Sequence, residues 1–172
     1  MTMLARRGLI AGTAALGLVA AAPRKGRAEP KQLALKDVKK ETEFAAVYHC
    51  DFGQSARFGQ MLTNINNHLS AYEFDPFKIK VVVVAHGPGV KFFLKSQVGT
   101  PWEKEAVEDD VAQRLEALAK YGVEAFLCQI TFKRLRIDPA RIREADYVRL
   151  VPSGVAAVAE LQSKGFGYVK VG

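Results

Sequence analysis

Cysteine and histidine, the residues that most readily mark a metal centre or a disulfide scaffold, are scarce. The 172-residue chain holds two of the first and three of the second. Two cysteines, Cys50 and Cys128, are too few for a disulfide framework, so stability has to come from a hydrophobic core. No CxxC or HxxxH pair supplies the local clamp of a common zinc site. A dinucleotide fingerprint is missing too: after Gly87 and Gly89 the third glycine would fall where Phe92 stands, and no phosphate-loop Lys-Ser/Thr pair follows. Nor is there an apolar run fit to span a membrane, because the stretch from Gly8 to Ala22 is short and rich in small residues.

What is present is an ordinary globular composition, 49% apolar and 25% charged, at a length that suits one domain. The formal charge is +7, but residues 1–28 carry Arg6, Arg7, Arg24, Lys25 and Arg27 and no carboxylate. The basic character therefore belongs mostly to the N-terminus, and no nucleic-acid partner is expected. Arg6 and Arg7 ahead of a weakly hydrophobic stretch have the layout of a signal peptide. The pair resembles the twin-arginine export signal, with Ala5 and Gly8 departing from the fuller pattern; the general secretory route is the alternative. Cleavage after Ala28 is favoured over cleavage after Ala22, where Pro23 follows. The expectation is a cleaved signal over 1–28, a periplasmic mature protein without a membrane span, a polar linker over 29–42 and a domain over 43–172.

Within that domain, apolar runs and amphipathic stretches alternate. Phe44 to Cys50 has the length of a strand, and Phe58, Met61, Leu62, Ile65, Leu69 and Tyr72 recur at helical spacing over 55–73. Ile79 to Ala85 is nearly all β-branched and unalternating, as a central parallel strand covered on both faces should be. Val107, Val111, Leu115 and Leu118 predict a helix over 104–121, stopped by Gly122. Val123 to Ile130 predicts a third strand, Asp138-Pro139 a short helix through about Ala145, and Tyr147 to Val151 a fourth strand. Pro152-Ser153-Gly154 opens a last helix, and Phe166 to Val171 makes a fifth strand. Strands alternating with helices at this spacing predict an α/β fold, a parallel sheet with helices on both faces and right-handed crossovers.

In such sheets the loops at the carboxyl ends of the strands share one edge, where ligand and catalytic groups collect. Cys50 ends the first strand, His86 follows the second, and Cys128 lies near the end of the third. Cysteine is also a common core filler, so the position alone does not make either thiol reactive. His49 should face away from Cys50, and His68, beside Leu69, reads as a partly exposed helix residue. The Gly87-Pro88-Gly89-Val90 loop either directs backbone N–H groups at an anion or is a tight turn that needs glycine dihedrals.

Four segments then carry a likeness: Val81–Ala85 into His86-Gly87-Pro88-Gly89-Val90, Asn64-Ile65-Asn66-Asn67-His68-Leu69, Gly122 through Cys128, and Val151-Pro152-Ser153-Gly154-Val155 before Leu161-Gln162. Over residues 43–172 the chain resembles the DsrE/DsrF-like family. The resemblance implies a three-layer α/β/α fold around a five-stranded parallel sheet and assembly as a trimer or hexamer. It also implies a sulfur-carrier role in which one cysteine, matching Cys128, takes sulfane sulfur as a persulfide between donor and acceptor proteins. No cofactor is implied.

A sulfur acceptor must present a thiolate, and an ordinary cysteine, with a pKa of about 8.5, is only slightly ionised at neutral pH. Positive charge near the sulfur is therefore expected, from the helical turn after Ile130 or from Lys133, Arg134 and Arg136. On this reading Cys128 carries the sulfur, His86 donates a hydrogen bond or a proton to it and with the Gly87 and Gly89 amides polarises or holds it, and Cys50 is auxiliary. Two other readings stay open from sequence: a zinc or copper module built from Cys50, His86 and Cys128, with or without His49, and a noncatalytic interaction protein with a Cys50–Cys128 disulfide.

Overall fold

The computed structural model describes residues 30–105, 107 and 110–172. The expected signal peptide over 1–28 lies outside the described residues, as do three positions of the helix predicted over 104–121.

The strands, in chain order, are β1 (Lys31–Gln32), β2 (Phe44–Cys50), β3 (Ile79–Ala85), β4 (Glu124–Cys128), β5 (Val148–Val151) and β6 (Gly167–Val169). The helices are α1 (Ser55–Ser70), α2 (Val111–Ala119), α3 (Gln129–Leu135) and α4 (Gly154–Ser163). All strand pairs are parallel, in the order β1-β5-β4-β3-β2-β6. The β-branched run expected to be central is central, flanked by β2 and β4.

Strand pleating divides the core. Ala46, Tyr48, Cys50, Val81, Val83, Ala85, Ala125 and Leu127 face α1, α2 and the 3-10 turn Gly87–Phe93. Val47, Val82, Val84, Phe126 and Val151 face α4, with Leu33, Leu35 and Val38 beside it. The fold is thus the expected three-layer α/β/α arrangement, with helices on both sides of a parallel sheet. No helix among the described residues is long and apolar enough to cross a membrane.

Four local differences matter. The sheet has six strands rather than five, because Lys31 and Gln32, within the stretch read as a linker, pair with Arg149 and Leu150. Both are exposed and polar, so hydropathy carries no sign of them; the open edge of β5 offers backbone groups that any extended segment can satisfy. The third apolar run stops as a strand at Cys128, and Gln129 already begins α3, leaving Ile130 55% exposed on the surface. The helix expected through Ala145 is only a 3-10 turn, Pro139–Arg141. Backbone groups there are drawn into other ties, the Arg141 carbonyl accepting from Lys95 N–H at 2.9 Å and Arg143 N–H reaching the Phe93 carbonyl at 2.9 Å. Among the described residues, the helix expected over 104–121 is present as Val111–Ala119.

Candidate functional site

Register aligns the carboxyl ends of the three central strands. Cys50 pairs with Ala85, Ala85 with Leu127, and Cys128 with Val151, while His86 N–H donates to the Cys50 carbonyl at 3.1 Å. The next row outward therefore holds Asp51, His86 and Cys128. Alternation puts His49, His86 and Cys128 on the α4 side and Cys50 on the other. Of the three residues singled out from sequence, the structure brings His86 and Cys128 together and leaves Cys50 apart, sealed at 0% exposure in the α1 layer.

Two consequences follow for the alternative readings. Cys50, His86 and Cys128 cannot surround one ion, because the sheet stands between the first thiol and the other two groups. Both cysteines are free, and they sit two strands apart on opposite faces. Two interstrand spacings amount to roughly 9–10 Å, beyond the ~7 Å limit between Cα atoms of a disulfide.

Cys128 is 5% exposed and opens into a cleft of about 520 Å³ whose walls include His86, Pro88, Trp102, Thr131, Arg134 and Val155. The sulfur residue is the N-cap of α3, and the first turn of α4 closes from the other side. A Cβ on Gly154 would lie 2.8 Å from His86 Cβ and 3.1 Å from Cys128 Cβ, so the glycine lets the α4 N-terminus approach both. Ser153 caps that helix, its hydroxyl accepting from Ala156 N–H at 3.3 Å. Two helix starts thus converge on the thiol, and the positive ends of their dipoles favour negative charge there. Lys133, Arg134 and Arg136 are all exposed, and of the three Arg134 adds a guanidinium to the cleft wall.

His86 is half-buried, and burial lowers its pKa below the usual imidazole value, helped by the neighbouring His49 and opposed by Asp51. It is therefore neutral at neutral pH and able to accept a proton. His49 Nε2 lies 2.6 Å from His86 Nε2, with ring centroids 4.8 Å apart. The Tyr168 hydroxyl stands 3.4 Å from His49 Nδ1. Sequence reasoning left His49 at the margin, although its strand parity with position 86, two residues out of step across the register, was the signal that could have found it. His68 is away from this edge, bonded through Nδ1 to the Tyr48 hydroxyl at 3.1 Å.

The two loop glycines serve the turn. Gly87 takes φ +53° and its N–H donates to Thr131 Oγ1 at 2.9 Å. Gly89 N–H donates to the His86 carbonyl at 3.1 Å, and a Cβ there would strike the Cys50 carbonyl oxygen at 2.0 Å. Neither amide is directed at the sulfur, so the expected anion-holding role does not fit this arrangement. Gly154 and Trp102 were not anticipated as site residues, because one reads as a helix opener and the other as a loop aromatic.

The DsrE/DsrF-like family matches residues 43–171. The chain belongs to that family. No curated protein matches. Among solved structures, the chain is similar to MTH1491, a protein of unknown function from Methanobacterium thermoautotrophicum, at 21% identity and a TM-score of 0.59. The likeness covers 74% of this chain and 99% of that one, and it supports the shared DsrE-like fold alone. The family match takes in β2 through β6, and hence the whole rim carrying His86 and Cys128.

Proposed function

We propose that this DsrE-like protein is a sulfur carrier that takes sulfane sulfur onto Cys128 and passes it to an acceptor. The observation that carries the reading is the placement of Cys128 in the wall of a cleft, between two helix starts and beside His86. His86 takes the thiol proton, and the Cys128 thiolate attacks the outer sulfur of a donor persulfide, R–S–SH. A new S–S bond forms to Cys128 as the donor's S–S bond breaks, and the donor leaves as a thiolate that takes back the proton from His86. Nothing is oxidised or reduced overall, so no co-reactant is needed.

The partners of such a step are a donor and an acceptor protein. Ile130 and Val155, 55% and 66% exposed on either side of the cleft, offer apolar ground for a docking partner. The proposal includes export to the periplasm by residues 1–28 and a homo-oligomer, trimer or hexamer, as the working form.

Mass spectrometry after incubation with polysulfide tests the central step. Wild-type protein should gain sulfur on Cys128, and Cys128→Ser should gain none; equal loading of the two would overturn the reading. The N-terminal residue of protein recovered from the periplasm tests export, and light scattering tests assembly.

A further inference from the structure

We propose that His49, Asp51 and His86 form a binding site for a borderline divalent cation of the zinc class, separate from the thiol of Cys128. Among the described residues these three form a group whose donor atoms lie within 4.8 Å of one another. The two imidazoles aim the same nitrogen, Nε2, at a shared point 2.6 Å across. That contact is a hydrogen bond in which one nitrogen carries the proton and the other accepts it; a tautomer shift of the donating ring would turn both lone pairs to an ion beside the carboxylate.

The donors are held by independent parts of the fold. His49 is near the end of β2, Asp51 directly follows that strand, and His86 directly follows β3, the neighbouring strand. The ring of His86 is wedged against Gly154, whose Cβ would lie 3.2 Å from His86 Cδ2. The other nitrogen of His49 faces the Tyr168 hydroxyl at 3.4 Å, the kind of outer partner that fixes the tautomer and aim of a metal-binding imidazole.

Two imidazole nitrogens and one carboxylate oxygen suit zinc, or its spectroscopic stand-in cobalt, better than a hard ion such as magnesium. Metal–nitrogen bonds of roughly 2.0–2.1 Å at a tetrahedral angle set the two nitrogens about 3.3 Å apart, so the rings must part by less than ~1 Å. His49 is only partly buried and has room to turn. Asp51 is exposed, which leaves further coordination positions facing solvent, as in an exchangeable ion site and unlike a closed structural one. Bound to the ion through Nε2 with its proton on Nδ1, His86 has no lone pair left for the Cys128 proton, so the sulfur step proposed above belongs to the metal-free protein.

The inference does not rest on sulfur transfer. Chelator-stripped mature protein is titrated calorimetrically with zinc chloride, and its cobalt(II) form is examined by visible absorption. Wild type and Cys128→Ser should each bind one ion per chain with equal affinity, and the cobalt spectrum should show d–d bands without thiolate-to-metal charge transfer. His49→Gln and His86→Gln should lose at least about 100-fold in affinity and Asp51→Asn about tenfold, with circular dichroism confirming the fold. Absence of uptake, undiminished affinity in folded His49→Gln, or a charge-transfer band abolished by Cys128→Ser would overturn the site. Sulfur loading of stripped protein is measured in parallel, so failure of either idea is visible without the other.

Discussion

Gly154 and Cys128 touch at the point where β4 and α4 meet, close enough that a methyl group on the glycine would stand 3.1 Å from the Cys128 Cβ. The same methyl would press on the His86 Cβ at 2.8 Å, a separation that side chains do not sustain. Gly154→Ala must therefore push the α4 start away from the thiol. Overpacking of this kind costs about 1–3 kcal/mol. We expect a lower unfolding midpoint in urea together with slower alkylation of Cys128 in the folded protein, because the retreating helix start takes its positive end with it. Unchanged alkylation kinetics would show that the helix contributes nothing to the thiol's reactivity.

The two cysteines should differ sharply toward reagents. Cys50 is fully enclosed, and burial followed by the nearby Asp51 charge pushes its thiol far above the ordinary range. Cys128 opens into the cleft. Iodoacetamide should modify Cys128 alone in native protein, and both thiols only after denaturation, as read by peptide mass spectrometry. Modification of Cys50 at a comparable native rate would contradict the assignment of opposite faces.

The glycines of the Gly87-Pro88-Gly89 loop should respond to alanine for different reasons. At Gly89 the added carbon meets backbone, the Cys50 carbonyl oxygen, at 2.0 Å, and no rotamer relieves it. At Gly87 there is open space, but φ is +53°, which an L side chain adopts at a cost of roughly 1–2 kcal/mol. Gly87→Ala is expected to fold with modestly reduced stability, whereas Gly89→Ala should lose ~3 kcal/mol or fail to accumulate. Denaturant titration of the two variants decides the order.

What the chain announces in advance follows from where its physics is local. The run Ile79–Ala85 could be placed at the sheet centre because, Lys80 near its start apart, its residues are apolar on both faces and leave no polar face to show water. His86 and Cys128 could be placed on one edge because strand polarity alone dictates it. The sides they occupy depend on pairing register, which joins residues far apart in sequence, and this is why Cys50 was grouped with them and His49 was left out. The edge strand Lys31–Gln32 was invisible for a related reason: two exposed polar residues carry no burial pattern, and only the waiting edge of β5 makes them a strand. Gly154 could be read as a helix opener, but its closeness to two other side chains exists only in the folded chain.

Stability should fall on mild acidification, and His68 should account for part of the fall. Its pKa is lowered by burial, and that of His86 is lowered by burial and by His49. A histidine with a depressed folded pKa binds fewer protons folded than unfolded in the window between the two values. Stability is then at its full level above about pH 6.5, the unfolded value, and is lost as the pH falls from there toward the folded value. Tyr48, whose hydroxyl pairs with His68 Nδ1, has its own pKa raised to about 12 by burial and so stays protonated throughout. Thermal unfolding followed from pH 8 to pH 5 should show the midpoint dropping below pH 7. His68→Gln, which keeps a polar partner for Tyr48 but does not titrate, should flatten that slope without abolishing it, since His86 remains. An identical slope in the variant would assign the whole effect to the histidine beside Cys128, and a rising midpoint toward pH 5 would contradict the burial of both rings.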